Sequence, residues 1–128
     1  MFVRFVVDRI HPDSGRRTGI FQAAYQLRHS GSMTGYEHDR LAAALSWFNK
    51  NLDKPARLSW SSRPNRKAQA ICWFKAGAAE HLARIREIQH ILAQNGIVVE
   101  MITTRRPGYV VYEDDYQLAA YPFNDTVA

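Results

Sequence analysis

The sequence predicts an α+β fold: an antiparallel sheet with about three helices packed mainly on one face. Three observations predict it. Apolar residues recur at helical spacing in three stretches. Short β-branched or aromatic runs, bounded by Gly and Pro, separate those stretches. Residues 97–121 read as a closing three-strand antiparallel meander. At 128 residues the chain is the usual size of one domain, expected over 1–128. With 46% hydrophobic residues it can bury a core, and a disordered chain is excluded.

Residues 2–7, Phe-Val-Arg-Phe-Val-Val, read as the first strand. His11-Pro-Asp-Ser-Gly15 is a dense turn signal, followed by Arg16 and Arg17. Thr18 is placed to cap a helix to about Arg28, with Ile20, Ala24 and Leu27 on one face and Gly31 at its left-handed end. Thr34 and Glu37 have capping-box spacing. Leu41, Ala44, Leu45, Phe48 and Leu52 continue that second helix as an apolar stripe. Arg57–Trp60 can form a short strand, Ser61–Lys67 a loop, and residues 69–74 a further strand. The third helix, about 78–94, buries Leu82, Ile85, Ile88 and Leu92 and stops at Asn95-Gly96. Strands over 97–104, 109–113 and 116–121 complete the meander, with a type II turn at Pro107-Gly108.

Charge bounds the function. Net charge is +5, and residues 1–99 hold 15 basic against 7 acidic side chains, while residues 100–128 hold 2 against 5. A basic body favours anionic partners such as nucleic acid or an acidic protein surface. The cations are densest over residues 53–69, where Lys54, Arg57, Arg63, Arg66 and Lys67 accompany one acid, Asp53. Trp60, Arg63, Arg66 and Lys67 combine cations for phosphates with an indole that can stack on a base. Arg105 and Arg106, at a turn, form a second cationic spot, and Arg16-Arg17 resembles it. Lys75-Ala-Gly77 precedes a helix as a phosphate loop would, but Glu80 occupies the first turn and no Lys-Ser or Lys-Thr pair follows. It reads as an ordinary connection.

Other constellations are weighed against plain packing. If Pro107-Gly108 were a two-residue hairpin loop, Ile102 would face Glu113 and Glu100 would face Asp115. Glu100, Glu113 and Asp115 would then share one sheet face and could bind Mg²⁺. The alternative reading of that face is a wet one, opposite an apolar face of Val99, Met101, Val110 and Tyr112. Arg86 and His90 share a helix face, but the five histidines lack metal spacing. The lone Cys72 excludes a disulfide framework within the chain and lies in the apolar run Ile71-Cys-Trp-Phe, so a buried, inert thiol is expected. Trp47 and Trp73 read as core pieces. No signal peptide, membrane span or cofactor motif is read, which places the chain in the cytoplasm.

The leading expectation is a small, basic, non-catalytic binding module for an anionic partner, nucleic acid or an acidic protein, with no membrane partner and no cofactor. Trp60, Arg63, Arg66, Lys67, Arg105 and Arg106 would carry it. One alternative is a metal-dependent phosphodiesterase or nuclease using Glu100, Glu113 and Asp115. Another is an interaction or inhibitor protein working through exposed aromatics.

Overall fold

The sheet is built around β1, Phe2–Ile10, in a computed structural model that describes residues 1–10, 17–53 and 70–126. One edge of β1 pairs with β4, Val99–Thr104, from Phe2↔Thr104 to Val7↔Val99. Its other edge pairs in succession with β3, Ile71–Lys75, at Phe2↔Lys75 and Val3↔Phe74, and with β2, Arg17–Gly19, at Val6↔Gly19 and Ile10↔Arg17. β6, Gln117–Tyr121, lies beside β3, and β5, Tyr109–Glu113, lies beside β6. Every pairing is antiparallel.

Period-two alternation gives β1 two faces. Val3, Phe5 and Val7 point toward the helices and join Phe74 and Val99 in the main core. α1, Ile20–Ser30, contributes Ile20, Ala23, Ala24 and Leu27. α2, Gly35–Asn51, contributes Leu41, Ala44, Leu45 and Phe48, and α3, Ala79–Gln94, contributes Ile85, Ile88, Ile91 and Leu92. These helices cover one face of the sheet, as the periodicity predicts. Among the described residues no helix is long and apolar enough to cross a membrane.

The helix ends follow their local chemistry. Thr34 Oγ1 accepts from Glu37 N at 3.4 Å, which satisfies one orphan donor of α2. The Glu37 carboxylate does not reach back to Thr34. It accepts instead from Asn95 Nδ2 at 2.8 Å and ties the start of α2 to the end of α3. Gly31 and Gly96 close α1 and α3 at φ 72° and 78°. Thr18 does not cap α1, because it is a buried strand residue of β2 and Gly19 takes the cap position.

The second difference lies in the meander. β5 and β6 form the expected hairpin, but β4 pairs with β1, so the link Arg105–Gly108 is not a hairpin loop. It runs from one edge strand of the sheet to the other. Thr104 to Tyr109 can span at most about 18 Å. Crossing four strand spacings of a flat sheet would need about 19 Å with no turn at all. A fully extended link falls just short of crossing a flat sheet, and the ordinary twist of a sheet closes the difference. On the face opposite the main core Ile71, Trp73, Leu118 and Ala120 make a second core, against which Phe2 and Ile102 pack. Trp73 is 1% exposed there, and among the described residues its Nε1 has no hydrogen-bond partner.

Candidate functional site

The expected anion site divides. Trp60, Arg63, Arg66 and Lys67, with the proposed strand Arg57–Trp60, lie outside the described residues, as do the turn at His11–Gly15 and Arg16. Arg105 and Arg106 are exposed on the link that crosses the sheet. Arg106 N donates to Thr104 Oγ1 at 3.1 Å. Its guanidinium lies 5.0 Å from the Phe123 ring and 3.9 Å from the Asp125 carboxylate.

The carboxylate cluster does not form. Glu100 is on edge strand β4, opposite Val6 of β1, and binds Arg17 Nη1 at 2.8 Å. Glu113 is on edge strand β5 and binds Lys75 Nζ at 2.6 Å. Asp115 is exposed in the β5–β6 turn. With β1, β3 and β6 between the two edges, Glu100 and Glu113 each answer a separate cation. The reason is the strand partner: the proposed face required β4 beside β5. The expected apolar face opposite it is not built either, since Met101 and Val110 are exposed while Val99 is buried. Among the described residues no group of three or more His, Cys, Asp or Glu could hold a metal.

The Lys75–Gly77 connection is no phosphate cradle. Lys75 N donates to Tyr116 O at 2.8 Å and Ala76 N to Met1 O at 3.2 Å, while Lys75 Nζ is held by Glu113. Arg86 and His90 are exposed on α3.

Sequence reasoning missed the polar cluster under the β5–β6 turn. Asp114 Oδ1 accepts from Tyr116 N at 2.9 Å and Gln117 N at 3.0 Å. Its Oδ2 accepts from Tyr112 Oη at 2.8 Å and Gln117 Nε2 at 3.1 Å. Burial acts to raise the Asp114 pKa, but these four donors outweigh it and hold the carboxyl below its usual range. The same hydrogen bond, helped by partial desolvation and the Asp114 charge, pushes the Tyr112 phenol up to about 12. Buried Gln117 also donates from Nε2 to the carbonyl of Asp53.

His81 makes a matching clamp. It is 5% exposed, stacks on Tyr116 at 4.3 Å between ring centroids, and meets Trp47 edge-on at 4.9 Å. Its Nε2 lies 2.8 Å from Asn51 O. A carbonyl only accepts, so Nε2 carries the proton. His81 and Gln117 thus hold the backbone at Asn51 and Asp53, directly before residue 54. Beyond residue 69 the chain enters β3 at Ile71, between β1 and β6. Both stems of the basic segment are anchored in the folded body.

Cys72 differs from expectation. It lies on β3 opposite Ala119, and its side chain is exposed, not buried. Alternation sets only its direction: Ile71 and Trp73 turn into the second core, and Cys72 shares the other face with Phe74, where its side chain remains exposed. Desolvation by its surroundings still raises the thiol pKa, with Arg4 lowering it and Asp114 raising it. The exposed area governs whether a reagent can reach the sulfur, and the desolvation governs how much thiolate it meets.

Compared with known proteins, the chain matches no family model, no curated protein and no solved structure.

Proposed function

We propose that this chain is a small, basic, non-catalytic module that binds an anionic partner, nucleic acid or an acidic protein surface. The observation that carries this reading is the mounting of the basic segment. Residues 53–69 hold five cations and one acid, and their first stem is clamped by Gln117 and His81. A binding segment held at rigid stems loses less freedom when its ligand docks. Charge bookkeeping in the body supports it. Glu80, Glu87, Glu100, Glu113 and Asp125 each have an Arg or Lys partner in the body. Trp60, Arg63, Arg66 and Lys67 would grip the ligand, with Arg105 and Arg106 as a second cationic spot. The single cysteine fits a reducing cytoplasm.

The test is the salt dependence of oligonucleotide binding. Cations gripping phosphates release counterions, so affinity falls steeply as salt rises. Arg63→Ala, Arg66→Ala and Lys67→Ala combined should flatten the log–log slope by roughly two to three units. Trp60→Ala should weaken single-strand binding by on the order of 1–3 kcal/mol and leave the slope unchanged, because stacking releases few ions. No binding of single-stranded or duplex oligonucleotide at about 50 mM salt, where electrostatics are least screened, removes nucleic acid and leaves the acidic protein partner.

A further inference from the structure

The clamps on the stem of the basic segment, from Gln117 and His81, both lead back to one carboxylate. Gln117 Nε2 donates to Asp53 O and to Asp114 Oδ2. His81 Nε2 donates to Asn51 O, and the His81 ring stacks on Tyr116, whose N–H donates to Asp114 Oδ1. Half-buried Asp114 therefore supports the chain on both sides of Leu52. Lys54, the first of the cations, follows directly.

The polarity of these bonds fixes every group. The carbonyl and the carboxylate that face Gln117 Nε2 only accept, so the side-chain amide presents its nitrogen to both. The backbone N–H groups of Tyr116 and Gln117 only donate, so Asp114 meets them with its other oxygen. A carboxylate can accept on both oxygens at once, and an amide cannot. We propose that Asp114 is a positioning residue for nucleic-acid binding: it orients Gln117 and seats Tyr116, and through them holds the stem from which the basic segment grips its ligand. This rests on the nucleic-acid reading of that segment.

Charge alone predicts the opposite role. Asp114 sets a negative charge beside the stem of a segment that binds an anion, so its removal should tighten binding. Positioning predicts weaker binding, because a loosened stem must be ordered again when the ligand docks. Asp114→Asn separates the two effects. The backbone N–H groups of Tyr116 and Gln117 retain the oxygen of the new amide, and its NH₂ group then faces Tyr112 and Gln117. The Tyr112 hydroxyl can rotate and accept. Gln117 has no such freedom. With its nitrogen in place it meets a donor, and with its oxygen turned in it meets the carbonyl of Asp53. The turn keeps its backbone bonds, and the clamp is lost together with the charge.

Binding of a single-stranded oligonucleotide to the full chain at about 50 mM salt, with hydrogen exchange at Leu52, tests the proposal. Leu52 N donates to Phe48 O at the end of α2, between the two clamped carbonyls. Asp114→Asn should weaken binding about threefold or more and speed exchange at Leu52. Asp115→Asn removes the neighbouring exposed charge and should bind as tightly as wild type or more so. Gln117→Met leaves the net charge unchanged and should reproduce the loss. The double variant should bind no more weakly than Gln117→Met alone, since both substitutions act through one contact. Unchanged or tighter binding by Asp114→Asn overturns the proposal, as do additive losses in the double variant or unaltered exchange at Leu52. If Asp114→Asn does not fold by circular dichroism, Gln117→Met decides, and wild-type affinity there overturns the proposal. A wild-type chain that binds no oligonucleotide fails the nucleic-acid reading and this proposal with it, whereas wild-type binding that Asp114→Asn leaves intact fails this proposal alone.

Discussion

Asp114 works as the keystone of the β5–β6 turn because one carboxylate answers four donors. Its lowered pKa means that its contribution is present above the unfolded carboxyl range, near pH 4, and is lost as pH falls through the folded value. Tyr112 has the opposite sign. Its pKa is raised to about 12, so its contribution is full below the unfolded phenol value and is lost as pH climbs through the folded one. Asp114→Ala should cost on the order of 1–2 kcal/mol at neutral pH, since two amide groups and Gln117 lose an acceptor. It should also flatten the acid limb of a urea-midpoint-against-pH profile. Tyr112→Phe should flatten the alkaline limb and flatten the acid limb less than Asp114→Ala does, because Asp114 keeps three of its four donors. Identical profiles for wild type and both variants would contradict the hydrogen-bond account of these shifts.

Among elements, the β5–β6 hairpin depends on one glycine. Gly108 has φ 133°, and a Cβ built there would lie 1.9 Å from Tyr121 O. Both the backbone angle and the neighbouring strand therefore exclude a side chain. Gly108→Ala should cost about 2–4 kcal/mol in chemical denaturation, whereas Gly35→Ala, with nothing within 4 Å of the new carbon, should not destabilise. The elements legible in the sequence were those that local chemistry decides. The Thr34 cap, the stripe Leu41–Phe48 and the Asn95-Gly96 stop all stand in the structure. What stayed illegible depends on distant partners. Nothing near Val99–Thr104 says that Phe2–Val7 will be its neighbour, and the Arg105–Gly108 link has the residues of a tight turn. The site was legible to the same extent. The density of cations over residues 53–69 is a fact of composition. The clamps on its stem are contacts from Gln117 to Asp53 and from His81 to Asn51, which no local pattern encodes.

At the scale of the molecule, one sheet separates two cores. The helix side holds the larger, and the opposite side holds Trp73, Ile71, Leu118 and Ala120. The fold class was predictable from counting elements. The second core was not, since alternation tells which residues share a face but not whether that face is covered.

The position of β1 has a consequence in time. Its pairing with β4 joins Phe2 to Thr104, yet synthesis delivers those residues far apart. At ordinary translation rates roughly 5–20 s pass between them. Through that interval the apolar run Phe-Val-Arg-Phe-Val-Val has β2 within reach and, later, β3, but one whole edge stays open. Ribosome-stalled chains ending before Val99 should therefore be cut by protease near β1 and should recruit holdase chaperones. Chains that have cleared Thr104 from the exit tunnel should resist both. Equal protection at the two lengths would mean that β1 is secured without its last partner.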